Sequence, residues 1–484
     1  VTERMHFIGV GGSGMSAVAR LVAARGVTVS GSDQRESAYF LALREAGMDV
    51  RIGHDATYVE GVDAVVISTA VRETNPELAR ARELGIRVLH RSEALAFALE
   101  DDRLVAVAGS HGKTTTSAMV AHTLHRSGID ASFAVGARVF GVEGAVAGGY
   151  AGTAGIGVVE ADESDGSFLR YDSEVGILLN IEPDHLDHYG SVERLEEAFA
   201  QFALGCRVLI ACAEDATVMR IADQARDAGV DVITYGFEGS DADVQVSATH
   251  LSVTSPLSSG EMDPSRWPQP LKQRDGSISR DGEVALDGPL RLTVPVPGSH
   301  QRLNAAAAWA AAVVMGADAL AAADALSTFA GTGRRYQLRG EVGGVRVVDD
   351  YAHHPTEVAA VLAAARSAGQ EHLVVLFQPA LFTRTQLHAG NFAAALSIED
   401  ADVVIAGVHG DREDPIPGVS SQSILDQMVV PEGSSAQVVE DLREAADVAA
   451  SLARPGTQVM TVGSGTVTLA ADWILDRLRD GSDG

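Results

Sequence analysis

Short apolar runs ending in Gly, Ser or Asp alternate along this chain with longer stretches of helical periodicity, the pattern of parallel strands each followed by a covering helix. The first stretch predicts strands at 6–10 (HFIGV), 27–30 (VTVS), 63–68 (DAVVIS) and 86–89 (IRVL), with a helix opening near Gly14. A polar Glu100-Asp101-Asp102 closes it. The second predicts strands at 103–109 (RLVAVAG), 155–160 (GIGVVE), 175–181 (VGILLNI) and 207–212 (RVLIAC). A region rich in Ser, Asp and Gly from Gly239 to Gly288 reads as small strands and loops, and a helical segment over 300–329 ends the block. The third predicts strands at 345–351, 373–377, 402–407 and 457–463. The expected fold class is α/β in three domains, bounded at 1–101, 102–331 and 332–484.

The length of 484 residues fits about two to four domains, and 46% hydrophobic residues suit a globular chain. With 37 basic against 66 acidic residues the formal charge is −29, which argues against nucleic acid or an anionic membrane surface as partner. An anionic ligand must therefore be held locally, by backbone N–H groups, single cations or metal ions. Cys206 and Cys212 flank one apolar run and read as buried structural thiols. The first residues lack the basic region and long apolar stretch of a signal peptide, so a cytoplasmic location is expected. The apolar stretch Ala305 to Ala330 carries Asp318 and Asp324 and reads as an Ala-rich helical pair, not a membrane span. A monomer or a homodimer fits this picture equally.

Gly9-Val10-Gly11-Gly12-Ser13-Gly14 has the G-x-G-x-x-G spacing between a predicted strand and helix, with Asp33 nineteen residues further on. Such a turn lets backbone N–H groups approach a diphosphate at a helix N-terminus. It does not choose among nucleotides, and alone it would favour a nicotinamide-dependent dehydrogenase.

Gly109-Ser110-His111-Gly112-Lys113-Thr114-Thr115 also follows a strand and opens a helix. That order places backbone N–H groups, one lysine and a hydroxyl around phosphates and Mg²⁺. A strict Walker motif would have its first glycine at position 107, which is Val, so this is a shorter variant. The cations of this chain are 35 Arg and only two Lys, Lys113 and Lys272. One of those two stands where a compact ammonium must thread between phosphates.

Glu160-Ala161-Asp162-Glu163-Ser164-Asp165 ends another apolar strand, and so many carboxylates repel unless cations offset them. Asn180 and Asp184-His185-Leu186-Asp187 end the next strand. The loop threonine, a strand-end carboxylate and His185 make a candidate ligand set for two Mg²⁺ ions, although imidazole is an unusual partner for so hard a cation.

GVGGSGMS (9–16), GSHGKTTTS (109–117), EADESDGSF (160–168), NIEPDHLDHY (180–189), GSHQRLNA (298–305), GTGRRYQ (331–337), DDYAHHPTE (349–357) and FQPALFTRT (377–385) occur in that order. Together they resemble the Mur ligases over nearly the whole chain, and within that family the alanine-adding branch. The resemblance implies a Rossmann-like UDP-binding domain, a P-loop central ATPase domain and a Rossmann-like C-terminal domain that brings the amino acid. The substrates implied are UDP-N-acetylmuramate, L-alanine and ATP, with two Mg²⁺. The activity implied is ADP-forming ligation through an acyl phosphate in peptidoglycan precursor synthesis.

Carried over by motif, Gly11, Gly12, Ser13, Gly14 and Asp33 would serve the UDP moiety, with Ser68, Thr69 and Arg384 also on the UDP-substrate. Gly109, Ser110, His111, Gly112, Lys113, Thr114 and Thr115 would hold ATP phosphates, with Asn304, Arg335 and Asp350 on the nucleotide. Thr114 and Glu160 would hold the first Mg²⁺ and His185 the second. Tyr351 and His353 would face the amino acid. Catalysis would rest on Lys113, Glu160, His185, Arg335 and His353, with His353 or a carboxylate of 162–165 accepting the ammonium proton. The chain departs from the family pattern at Gln301, Ala380 and Thr466. Ala200 stands where several other branches carry a carbamylated lysine, which agrees with the alanine-adding branch.

Overall fold

The computed structural model describes residues 3–146, 148–184, 186–253, 289–410 and 413–482. Three largely parallel sheets follow one another along the chain. They fall into two compact units: Val1–Pro295 with Arg302–Ala330, which holds the first two sheets, and Val296–Gln301 with Gly331–Gly484, which holds the third.

The first sheet runs Asp49–Ile52, Thr28–Asp33, Arg4–Ile8, Ala64–Ile67, Arg87–His90 in spatial order, all parallel. The chain builds outward from Arg4–Ile8 first to one side and then to the other. The crevice between the carboxyl ends of Arg4–Ile8 and Ala64–Ile67 is therefore a topological switch point, where open α/β sheets bind ligands. The helix Ser13–Ala24 starts there.

In the second sheet the strand Arg103–Ala108 lies between Ser173–Leu178 and Ile156–Glu160, so both neighbours end beside the loop that follows it. That loop enters the helix Lys113–Arg126, which is buried continuously from Thr115 to Leu124. The first two sheets meet along the helix Ser13–Ala24, which packs on Arg91–Ala98 and on the strands Ser132–Ala134 and Gly149–Tyr150. A Cβ at Gly149 would lie 2.7 Å from the Ala17 carbonyl oxygen, so glycine there permits the helix backbone to approach.

The third sheet runs Gln337–Val342, Val345–Asp350, Gln458–Val462, Leu373–Phe377, Ala401–Ala406, Ser435–Val439, antiparallel only at its first pair. Leu373, Val375 and Phe377 enter one apolar layer and Val374 and Leu376 the other. Burial on both faces is why LVVLF reads as an unbroken apolar run. Each such side chain contributes about 1.5–3 kcal/mol of transfer free energy.

Strands absent from the pattern reading are mostly sheet edges. Asp49–Ile52, Gln337–Val342 and Ser435–Val439 each border one sheet and are largely exposed or half-buried. An edge strand buries too little to need apolar residues at every position. Asp231–Phe237 is interior, but Asp231 and Gly236 interrupt its apolar run. Within 239–288, Val244–Val246 and His250–Val253 pair antiparallel; residues 254–288, including Lys272, lie outside the described residues.

The Ala-rich stretch forms the helices Ser299–Val314 and Ala319–Leu326. Among the described residues no helix is long and apolar enough to cross a membrane. Cys206 and Cys212 are buried and unlinked, and burial pushes the Cys206 thiol up to about 12, so both are inert packing groups.

Candidate active site

The glycine turn is braced from the neighbouring strand. The Ser32 carbonyl accepts the N–H groups of Gly9 (2.8 Å) and Val10 (3.0 Å), and Asp33 Oδ2 accepts that of Gly11 at 2.9 Å. Gly12 N–H turns back onto the Gly9 carbonyl at 3.1 Å. Asp33, expected at the ligand, thus shapes the turn, and a Cβ on Gly11 would stand 3.0 Å from its carboxylate. The donors left for a diphosphate are those at the start of the helix, from Ser13 onward, where N–H groups lack intrahelical acceptors. Ser68 and Thr69 follow the strand Ala64–Ile67 across the switch-point crevice.

One residue there escaped the sequence reading. A Cβ at Gly14 would meet Arg91 Nη1 at 2.5 Å, while Arg91 Nη2 reaches Asp162 Oδ2 at 3.2 Å. The third glycine of the motif thus admits a guanidinium that ties the glycine turn to the acidic strand end of the second sheet. No local signal marks Arg91, because both contacts are distant in sequence.

At the second loop, Lys113 Nζ donates to the Gly109 carbonyl at 2.6 Å and pairs with Glu163 at 2.7 Å. Burial works to lower the lysine pKa, but Glu163, Asp162 and Glu160 outweigh it and raise it. Burial likewise works to raise Asp162, yet Lys113 and Arg91 hold its carboxyl down at about 2. Thr114 Oγ1 donates to Glu160 Oε2 at 3.1 Å, and Gly136 N–H holds the other oxygen at 2.5 Å. A hydroxyl and an oriented carboxylate beside a lysine are hard oxygen donors that fit Mg²⁺. His185 lies outside the described residues.

The neighbouring strand end fixes the loop. Asn180 Oδ1 accepts His111 N–H at 2.8 Å and its amide donates back to the His111 carbonyl at 3.0 Å. Ser110 hydroxyl exchanges hydrogen bonds with the Glu182 backbone. Asn304 is buried against the same loop, 3.2 Å from where a Cβ on Gly112 would sit. Thr115 is buried in the helix that follows.

In the second unit, Asp350, Gly463 and Gln378 stand at the carboxyl ends of adjacent strands. Asp350 is buried and its carboxyl is pushed up to about 6, chiefly by that burial. Its two oxygens accept Tyr336 N–H (2.7 Å) and Ala352 N–H (2.8 Å), so it organises the segment carrying Arg335. Arg334 and Tyr336 have φ of 59° and 48°, strain of about 1–3 kcal/mol each that this bracing sustains. Arg334 and Arg335 both lie over the Tyr351 ring, at 4.8 and 5.1 Å from its centroid. His353 sits edge-on to that ring at 5.2 Å. Burial, helped by Arg384 and Arg335 and opposed by Glu357, pushes His353 down to about 4. Glu357, missed in the sequence, holds His353 N–H at 3.0 Å and lies 3.9 Å from Arg335. Its signal is the helix start Pro355-Thr356-Glu357, where an acid three residues past the cap is favoured.

The three departures sit in ordered surroundings. Gln301 is buried and meets His300 at 3.0 Å. Thr466 Oγ1 reaches Gln378 at 3.4 Å. Ala380 is buried, and its strand partner His409 places its ring beside Gly465.

Three domain models match in chain order: "Mur ligase family, catalytic domain" over residues 4–103, "Mur ligase middle domain" over 107–312, and "Mur ligase, glutamate ligase domain" over 334–465. The UDP-N-acetylmuramate–L-alanine ligase of Renibacterium salmoninarum is 45% identical over 98% of this chain and 96% of that protein. The protein of the same name from Kineococcus radiotolerans is 43% identical, over 99% and 96%. Among solved structures, the UDP-N-acetylmuramate-alanine ligase of Thermotoga maritima matches with a TM-score of 0.77 at 28% identity, covering 99% of both chains.

Proposed function

The chain belongs to the Mur ligase family, and on that premise we propose that it joins L-alanine to UDP-N-acetylmuramate with conversion of ATP to ADP and phosphate, in peptidoglycan precursor synthesis. The observation that carries the reading is that Lys113 and Thr114, after one strand, meet Glu163 and Glu160 at the exit of its neighbour. The glycine turn lies in the same compact unit, and Arg91 beside it pairs with Asp162 of the same acidic segment.

A carboxylate does not acylate an amine at neutral pH. The lactyl carboxylate oxygen of the UDP-sugar therefore attacks the γ-phosphorus of ATP, ADP leaves, and an acyl phosphate forms. The alanine nitrogen, its ammonium proton released to solvent, then attacks the acyl carbon. The tetrahedral oxyanion collapses, the nitrogen gives up a second proton that leaves with phosphate as hydrogen phosphate, and the amide remains. Phosphoryl transfer needs positioning and charge neutralisation above all. Lys113 meets the ATP phosphates by giving up Glu163, and the N–H groups that open the helix Lys113–Arg126, behind a loop fixed by Asn180 and Ser110, face the same charge. Thr114 and Glu160 would hold Mg²⁺, which supplies further neutralisation of the phosphates when bound. The family resemblance assigns Arg335 and Asp350 to the nucleotide and Tyr351, His353 and Arg384 to the acceptor side. A histidine held near 4 is neutral at physiological pH but a weak base. His353, uncharged there, is suited to accept a hydrogen bond from the incoming amine.

The test is ADP release by the full chain with Mg²⁺, run with each substrate omitted in turn and with a panel of amino acids. Release that requires both UDP-N-acetylmuramate and L-alanine supports the reading. Release independent of either one would overturn it.

A further inference from the structure

Beneath the glycine turn lies a buried polar network that the catalytic reading does not use. Glu77, in the first turn of the helix Pro76–Glu83, has no solvent exposure, and His6 has 1%. Glu77 Oε2 accepts the Ser32 hydroxyl at 2.7 Å and meets His6 Nε2 at 2.9 Å. Its Oε1 meets His54 Nδ1 at 2.9 Å and accepts Asp55 N–H at 3.2 Å. His6 Nδ1 continues to Ser30 Oγ at 2.8 Å. One carboxylate thus collects groups from three neighbouring strands or their exits. Burying a carboxylate costs several kcal/mol unless donors surround it, and here four do. Burial works to raise this carboxyl, but the bonds from His6, Ser32 and His54 hold it below the usual range.

The network is continuous with the ligand turn through one residue. Ser32 is fully buried; its hydroxyl is anchored on Glu77, and its carbonyl holds the N–H groups of Gly9 and Val10. The next residue, Asp33, holds Gly11 N–H. Three successive N–H groups of the turn are therefore set by a two-residue segment whose side-chain anchor is Glu77. The diphosphate donors from Ser13 onward follow directly, so their height and tilt depend on the same anchor.

We infer that Glu77, acting through Ser32, is a positioning residue that sets the glycine turn for the diphosphate of the UDP-substrate. This rests on the reading that the turn holds that diphosphate. The role is confined to one substrate, because no member of the network reaches the loop of Lys113.

Ser32→Ala cuts the link between Glu77 and the turn while leaving His6 and His54 on the carboxylate. Ser30→Ala cuts the network at its far end and is the matched control. In the full chain, Ser32→Ala is expected to raise KM for UDP-N-acetylmuramate about ten-fold, with kcat and KM for ATP within about two-fold. Glu77→Gln is expected to give the same split, and Ser30→Ala to leave all three constants near those of the unaltered chain. Calorimetric binding of UDP alone should weaken in parallel, and amide exchange at Gly9–Gly12 should quicken in Ser32→Ala. UDP affinity unchanged in Ser32→Ala, or UDP and ATP affinities falling together, would overturn the inference. Failure of the unaltered chain to bind UDP would sink the ligase reading itself, and this inference with it.

Discussion

At the scale of single residues, the proposed chemistry rests on a lysine whose rarity shows in the composition and whose partner does not. Lys113 stands out because the chain has only one other lysine. Its pairing with Glu163 spans fifty positions and exists only once two strand ends meet. The pair is largely buried, so removing one partner strands the other charge, a loss of about 3 kcal/mol or more. Lys113→Met is therefore expected to cut kcat by roughly a thousand-fold and also to lower the thermal midpoint. Adding Glu163→Gln to that variant should restore much of the midpoint and none of the activity. Calorimetry beside the ADP-release assay separates the two effects, and a midpoint unmoved by Lys113→Met would refute the buried-pair account. Arg91 belongs to the same class as Glu163: its pairing with Asp162 spans 71 positions, and no local pattern encodes it.

At the scale of elements, the site consists of strand exits, and glycines decide what can approach them. Gly109 has φ of 139°, and a Cβ there would lie 2.9 Å from Leu179 Cβ and 3.1 Å from Asn180 N. The neighbouring strand's backbone cannot yield, so Gly109→Ala should cost about 3 kcal/mol and weaken ATP binding. Gly14→Ala meets only the far end of the Arg91 side chain. It should cost less than about 1 kcal/mol in stability while weakening the UDP-substrate. Urea titrations of the two variants test the contrast, and equal destabilisation would contradict it. The positions of both loops were legible, since an apolar run, a glycine cluster and a helical stretch announce a strand–turn–helix unit. The edge strands Asp49–Ile52 and Ser435–Val439 were not, because their outward sides impose no apolar requirement.

At the scale of the whole molecule, the expected domains appear as three sheets but as two compact units. The first unit contains both glycine-rich turns and the second the Asp350–His353 segment. The UDP moiety is assigned to the first unit alone, and a ligand stabilises only what binds it. UDP at a hundred times its dissociation constant should stabilise the first unit by about 2.7 kcal/mol and leave the second where it is. Scanning calorimetry should then show one component shifting upward and one fixed; both moving together would mean that the units unfold as one. The charge of −29 also changes meaning at this scale. At the two glycine-rich loops, carboxylates hold Lys113, Thr114 and the glycine turn in place, so part of the acidity shapes the proposed anion sites.

The sequence alone determined most interior strands and the helices that follow them, the two glycine-rich turns and the family, because these depend on short-range periodicity and on motifs only a few residues long. Tertiary structure alone decided that Asp33 shapes its turn, that Arg91 joins two sheets at Gly14, that Glu163 holds Lys113 and that Glu77 underlies the glycine turn. Each of those is a charged or polar side chain whose partner lies twenty or more residues away. A polar residue carries the same local pattern whether it faces water or a distant partner, and only folding distinguishes the two.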